Sequence, residues 1–148
     1  MGSEQRRWRI GVIGCGEWGP NHVRNFSALP NAEVVAVADL RAERLARINA
    51  MAPGVALFQD AAEMINTAKP DAVVVATPTR THYEVVRQAL LAGVHVLCEK
   101  PLCIVPEEAD GLVALADERH LRLMVGHVFL FNAGIRKIKA LIDAGELG

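Results

Sequence analysis

The stretch Ile-Gly-Val-Ile-Gly-Cys-Gly-Glu-Trp-Gly-Pro, residues 10–20, ends an apolar run in glycines spaced Gly-x-Gly-x-x-Gly. A strand that turns at once into a helix beneath a pyrophosphate needs one glycine for conformational freedom, one for close approach of the ligand and one for helix packing. Gly14, Gly16 and Gly19 occupy these places in order. The N–H groups that open the following helix would face the phosphates. Alone, the spacing indicates a nucleotide site and a tight structural turn equally well.

An acidic residue after the second predicted strand bears on the kind of site. Asp39 follows Ala32–Ala38 directly, where its carboxylate can accept both hydrogen bonds of an adenosine ribose diol. A strand, a glycine turn, a helix, a second strand and an acid in this order favour a dinucleotide site. Asp39 could also cap the helix that starts near Arg41, and the two roles are compatible.

The same carboxylate bears on the choice of cofactor. Its negative charge would oppose the 2′-phosphate of NADP by about 1–4 kcal/mol at close range. We therefore predict NAD as the cofactor, with NADP less favoured, and we expect Leu40 and Arg41 to lie beside it. The guanidinium groups of Arg41 and Arg44 could accept a phosphate, or they could lie on a solvated helix face.

Composition narrows the class of protein. The chain has 148 residues and a net charge of −1 spread along its length, which predicts one domain over residues 1–148 and no partner among nucleic acids or anionic membranes. No apolar run approaches the roughly 18 residues of a membrane span. The three cysteines form no Cys-x-x-Cys pair, so we predict no metal site and a reducing, cytoplasmic setting. Apolar residues make up 51% of the chain, and some of them could face a partner.

Apolar patterns alternate between strand and helix periods along the chain. After the first strand, helices are predicted at His22–Ala28, Arg41–Ala52, Ala61–Thr67, His82–Ala92, Glu107–Glu118 and Ala133–Ala144. The further strands are predicted at Ala32–Ala38, Val55–Phe58, Ala72–Ala76, Val94–Cys98 and Leu121–Val125. This alternation predicts an α/β fold, a Rossmann-type doubly wound parallel sheet.

Polar residues follow the uncharged strand Ala72–Ala76, at the sheet edge where open α/β sheets bind ligands. The sequence there is Thr-Pro-Thr, residues 77–79. Thr81 and Glu84 have the spacing of a capping box for the next helix. His82 lies in the first turn of that helix, as a surface histidine or as a group that reaches the cofactor.

The next predicted strand, Val94–Cys98, delivers a lysine to the same edge. Lys100 stands between Glu99 and Pro101. Its ammonium can hydrogen-bond a substrate hydroxyl and favour the developing alkoxide while hydride leaves the same carbon. A Glu99–Lys100 charge pair at a strand end explains the spacing equally well.

Together these motifs resemble the Gfo/Idh/MocA oxidoreductase family, from about Arg9 to Gly148. The resemblance lies in Gly14–Gly19, Ala38-Asp39, Thr77–Thr79 with His82, Gly93–Leu102 and Ile142–Gly148. It implies an NAD(P)-dependent oxidoreductase acting on sugars, sugar nucleotides or inositols. By this resemblance, Lys100 is the catalytic or substrate-positioning lysine. The residues expected to contact the cofactor are Gly14, Cys15, Gly16, Glu17, Trp18, Gly19, Asp39, Leu40, Arg41, Thr77, Pro78, Thr79, His82, Glu99, Lys100, Pro101 and His127.

The segments Gly19–His22 and Gly126–Asn132 look more like the branch that oxidises UDP-N-acetylhexosamine-type sugars. Family members continue into a second α/β domain that supplies the substrate pocket and the oligomer interface. The resemblance therefore implies a cofactor domain without its substrate domain, inactive alone and prone to self-association. The alternative is a nucleotide-sensing regulator of the same fold, which would not need Lys100.

Overall fold

The computed structural model describes residues 6–147 and shows one sheet of six parallel strands in the order β3-β2-β1-β4-β5-β6. The strands are β1 (Trp8–Ile13), β2 (Ala32–Ala38), β3 (Ala56–Phe58), β4 (Ala72–Val75), β5 (His95–Cys98) and β6 (Leu123–Val125). The helices are α1 (Gly19–Ser27), α2 (Ala42–Met51), α3 (Ala61–Ala68), α4 (His82–Leu91), α5 (Pro106–Glu118) and α6 (Ala133–Asp143). The strand order and the helical crossovers confirm the predicted doubly wound Rossmann-type fold.

Two apolar clusters cover the two faces of the sheet. One contains Val23, Leu45 and Ile48 from α1 and α2, and the other contains Met64, Leu90 and Leu112 from α3, α4 and α5. Burial on both faces explains why the strands are rich in valine and isoleucine and carry little charge. The helices therefore pack on both sides and leave the carboxyl edge of the sheet for ligands.

The chain winds outward from the middle of the sheet. It leaves β1 toward β2 and β3, then crosses back to β4 and continues to β5 and β6. The crossover leaves a crevice beyond the carboxyl ends of β1 and β4, which is where open α/β sheets bind ligands. Gly14 and Thr77 lie at this crevice.

The structure corrects several predicted details. Helix α1 begins at Gly19 rather than at His22, with a proline in its first turn, a position that proline favours because its missing N–H is not needed there. The capping box of Thr81 and Glu84 is wrong, because the Thr81 side chain does not cap α4. Thr81 instead donates to the carbonyl of Pro78 at 2.8 Å within a 3₁₀ turn, Thr79–Thr81.

The carboxyl-terminal part exposes apolar side chains. A 3₁₀ turn, Val128–Phe131, precedes α6, and we call the group Phe129, Phe131, Ile135, Ile138 and Ile142 the C-terminal apolar face. Phe129 is 70% exposed, and none of the five is buried. Neither α6 nor any other helix within residues 6–147 combines the length and the apolar character that a membrane crossing requires.

Candidate functional site

The glycine turn after β1 contains two glycines that the fold itself requires. Gly14 has a positive φ of 93°, and a Cβ there would lie 2.6 Å from the carbonyl oxygen of Ala76 in the neighbouring strand connection. A Cβ on Gly19 would lie 2.1 Å from the carbonyl oxygen of Gly14. These two positions therefore exclude any side chain, because the turn and the start of α1 pack directly on each other.

Gly16 differs from both. Its φ is not positive, and a Cβ there would meet only the guanidinium of Arg44, at 3.7 Å. Across the described residues, no hydrogen bond uses the backbone N–H groups of Gly16, Glu17 or Trp18. The turn thus presents unpaired donors and open space at the start of a helix, which is the arrangement that binds phosphate groups.

Cys15 connects this turn to the end of β2. Its backbone N–H donates to Oδ2 of Asp39 at 2.7 Å, so this N–H is not available to a phosphate. Burial, together with the negative charge of Asp39, raises the pKa of the Cys15 thiol to about 12. Burial likewise raises the pKa of Cys98 to about 12. Both thiols therefore stay protonated at neutral pH, which excludes them as nucleophiles.

Asp39 is buried, and its carboxylate has three partners. Besides the N–H of Cys15, it accepts from the backbone N–H of Arg41 at 2.9 Å and from Nη1 of Arg44 at 3.3 Å. A carboxylate offers about four acceptor positions, so a ribose diol could use both of its donors only if one of these partners moved away. The alternative of Asp39 as helix cap is wrong, because α2 begins at Ala42 and its N-cap is Arg41.

The two arginines near Asp39 lie in different surroundings. Arg41 is exposed, as is Leu40 at 85%. Arg44 does not lie on a solvated helix face. Its guanidinium lies between Asp39 and the glycine turn, with its side chain 32% exposed. The sequence left Arg44 open between phosphate binding and a solvated position, and its place in the first turn of α2, five residues after Asp39, was the available signal.

His82 is not a surface residue. Its side chain is buried, with only 1% of the residue exposed. Nδ1 lies 2.8 Å from the carbonyl oxygen of Pro101, and Nε2 lies 2.8 Å from the carbonyl oxygen of Thr77. The histidine therefore joins the segments that follow β4 and β5, and the idea of a surface histidine is wrong. The Thr77 hydroxyl is 2.9 Å from the hydroxyl of Thr81.

Lys100 is exposed beyond the end of β5. Its predicted charge pair with Glu99 is wrong. Glu99 pairs with Nε2 of His22 at 2.8 Å, with both side chains about 15% exposed. Of the ion pairs within residues 6–147, none includes Lys100. The sequence offered no sign that His22 would reach Glu99, because the two residues meet only through the fold.

The remaining predicted residues lie at the rim of this edge. Glu17, Trp18 and His127 are exposed. His127 follows β6, directly after Gly126, where a Cβ would lie 3.4 Å from Oε2 of Glu99. Contacts thus connect the segments after β1, β2, β4, β5 and β6 at one edge of the sheet.

Comparison with known proteins agrees with this arrangement. Residues 8–127 match the Gfo/Idh/MocA family, described as an oxidoreductase family with an NAD-binding Rossmann fold. An inositol 2-dehydrogenase from Azotobacter vinelandii is 39% identical over 142 residues, which cover 94% of this chain and 42% of the relative. A UDP-N-acetylglucosamine 3-dehydrogenase from Acidithiobacillus ferrooxidans is 39% identical over 131 residues, covering 88% of this chain and 40% of the relative.

A solved structure extends the comparison. A 3-ketoreductase from Actinomadura kijaniata in complex with NADP and TDP-benzene has a TM-score of 0.86 and 34% identity, over 95% of this chain and 43% of that one. The chain thus spans between 40% and 43% of the length of these three proteins. The sequence match, the strand order and the glycine turn are all consistent with one family. The chain belongs to the Gfo/Idh/MocA oxidoreductase family through its NAD-binding Rossmann fold.

Proposed function

We propose that this chain is the cofactor-binding part of a dehydrogenase that transfers hydride between the nicotinamide and a secondary alcohol of a sugar or sugar nucleotide. One observation carries the proposal. The turn at Gly16 combines open space with unpaired N–H groups at the crevice between β1 and β4. The names of the relatives, an inositol 2-dehydrogenase and a UDP-N-acetylglucosamine 3-dehydrogenase, support polyol and sugar substrates.

We propose NAD as the cofactor. The buried carboxylate of Asp39 lies beside the glycine turn and would repel a 2′-phosphate. The guanidinium of Arg44 works against this preference, because it lies at the same place and could bind a phosphate. A related structure holds NADP, so the balance between Asp39 and Arg44 is the quantity to measure.

In this proposal, different residues of the chain bind the cofactor and contact the substrate. The N–H groups of the turn at Gly16 would hold the pyrophosphate, and Asp39 would orient the adenosine ribose. When bound, the nicotinamide supplies the hydride acceptor. Lys100 would hydrogen-bond the substrate hydroxyl and stabilise negative charge on its oxygen, while hydride leaves the attached carbon for the nicotinamide and the hydroxyl proton passes to a base or to solvent. Because Lys100 is exposed and has no partner among the described ion pairs, it is available for this contact.

We further propose that the rest of the protein covers the C-terminal apolar face. An uncovered apolar patch of several hundred Å² is unusual on a monomer, and the chain spans less than half of its relatives. In isolation, the same face would lead the chain to self-associate. The three cysteines are unpaired, which supports a reducing, cytoplasmic setting.

The test measures binding and turnover separately. Calorimetry on residues 1–148 should show binding of NAD. In the complete protein, the absorbance of reduced nicotinamide is followed with a panel of inositols and UDP-N-acetylhexosamines, and Lys100→Ala and Lys100→Arg are compared with the parent. Turnover that both variants lose, with NAD binding kept, supports the proposal. A silent panel with intact NAD binding would instead favour a nucleotide-sensing regulator.

A further inference from the structure

The inference starts from the ion pair between Arg44 and Asp39. Nη1 of Arg44 lies 3.3 Å from Oδ2 of Asp39, and Asp39 is the one acceptor that this guanidinium has within residues 6–147. The side chain of Asp39 is 5% exposed, whereas that of Arg44 is 32% exposed. The pair therefore joins a buried anion to a cation that lies partly in solvent.

Arg44 makes the longest of the three contacts to Asp39. The other two donors are the backbone N–H groups of Cys15 and Arg41, at 2.7 Å and 2.9 Å. Moving either of these donors requires a change of the backbone, whereas the arginine side chain needs only to change its rotamer. When a ribose diol binds to Asp39, Arg44 is therefore the partner that leaves.

The guanidinium of Arg44 also lies close to the open part of the glycine turn. A Cβ on Gly16 would lie 3.7 Å from its Nη1, so the cation lies between the turn and the carboxylate of Asp39. Arg44 belongs to the first turn of α2, where a helix disfavours positive charge, so the helix itself does not explain this position. A planar guanidinium binds a phosphate through two parallel hydrogen bonds.

The ion pair changes the charge that a 2′-phosphate would meet. The carboxylate of Asp39 alone would oppose NADP, but the charge of Arg44 offsets it at the same place. A guanidinium that leaves Asp39 can exchange one anionic partner for another, the carboxylate for the 2′-phosphate. NAD has no such group, so with NAD the arginine only competes with the ribose for the carboxylate.

We propose that Arg44 is the specificity-determining residue at the adenosine end of the site: it leaves Asp39 when a nucleotide binds and donates to the 2′-phosphate of NADP, so that the protein accepts NADP as well as NAD. The inference rests on the proposed function, because it takes the turn at Gly16 and Asp39 as the dinucleotide site. It goes further by assigning the acceptance of NADP to one side chain.

The experiment measures the binding of both nucleotides to one set of variants. Calorimetry on residues 1–148 gives the Kd of NAD and of NADP for the parent chain and for Arg44→Gln. Loss of charge-assisted hydrogen bonds to the 2′-phosphate should weaken NADP binding about tenfold or more, whereas NAD binding should stay unchanged or become tighter. The ratio of the NADP Kd to the NAD Kd should therefore rise about tenfold or more. A smaller rise, or a parent chain that binds NAD and not NADP, overturns the inference.

Arg41→Gln is the matched control, because Arg41 is exposed and donates to Asp39 only through its backbone N–H. Both variants remove one positive charge from the same end of α2. Equal changes of the Kd ratio in both variants would indicate long-range charge and overturn a contact by Arg44. Arg44→Lys keeps the charge without the planar fork, so its ratio should lie between those of the parent and Arg44→Gln. A ratio above that of Arg44→Gln contradicts the contact.

A purely structural role of Arg44 would not separate the two nucleotides. If Arg44 only held Asp39 and the turn in place, its replacement would weaken NAD and NADP binding by the same factor, and that result overturns the inference. If Arg44→Gln does not fold, the unaltered chain labelled with ¹⁵N decides. The Nε–H signal of Arg44 should then shift further on saturation with NADP than with NAD, and equal shifts overturn the inference. A chain that binds neither nucleotide contradicts the proposed function, and one that binds both with a ratio unmoved by Arg44→Gln contradicts only this inference.

Discussion

Replacement of Gly16 separates binding from folding more sharply than any other change in the glycine turn. A Cβ at this position meets only a flexible guanidinium at 3.7 Å, and the backbone is not in the left-handed region. Gly16→Val should therefore change the free energy of unfolding by less than about 1 kcal/mol. The added methyl groups would occupy the space that a pyrophosphate needs.

The expected loss of affinity follows from the donors around that space. Three backbone N–H groups, those of Gly16, Glu17 and Trp18, have no partner in the described part of the chain. A hydrogen bond to a charged group is worth about 1.5–3 kcal/mol. If valine displaces the pyrophosphate from two of these donors, binding weakens by about 3–6 kcal/mol, which is about 10²–10⁴-fold in Kd.

Gly19→Ala is the matched control, because it should lower the stability of the fold instead of blocking the space for the pyrophosphate. Its Cβ would lie 2.1 Å from the carbonyl oxygen of Gly14, and removing this overlap requires a shift of backbone that costs about 3 kcal/mol or more in stability. Calorimetry with NAD and urea denaturation on the same samples distinguish the two variants. Undiminished NAD affinity in a folded Gly16→Val variant would refute the placement of phosphate on this turn.

Three further predictions concern the cofactor, the thiols and the apolar face. Asp39→Asn should weaken NAD binding and narrow the preference for NAD over NADP. Asp39→Ala should weaken NAD binding further, because it also removes the acceptor for the N–H of Cys15. Calorimetry with both nucleotides measures the two affinities, and an unchanged ratio would contradict the prediction. At about pH 8, a thiol reagent should label Cys103 well before Cys15 and Cys98, since burial raises the pKa of the latter two to about 12; mass spectrometry that finds Cys15 or Cys98 modified first contradicts this order. The isolated chain should self-associate through the C-terminal apolar face, and Ile138→Glu should shift it toward monomer in light scattering. A parent chain that is already monomeric would contradict the proposal that this face is covered in the whole protein.

Local patterns in the sequence were sufficient for much of the fold. The valine-rich strands and the glycine turn after β1 depend on neighbours in the chain, and the structure confirms them. The helix start at Gly19 was missed because the turn and the helix share the same residues. What could not be predicted are contacts that exist only after folding. The pairing of His22 with Glu99 joins residues 77 positions apart. The hydroxyl of Thr81 donates to the carbonyl of Pro78 and does not cap the helix that follows it.

The bond from the N–H of Cys15 to Asp39 has a practical meaning for redesigning cofactor preference. This carboxylate supports the backbone of the glycine turn, and in the proposed function it also carries the charge that would oppose NADP. An engineer who removes the charge should therefore keep an oxygen at position 39. Asparagine preserves an acceptor and at the same time releases the guanidinium of Arg44 from its anionic partner. Replacement of Asp39 is therefore the first step toward an NADP-accepting variant. The second requirement, a guanidinium that could bind the 2′-phosphate, is already met by Arg44.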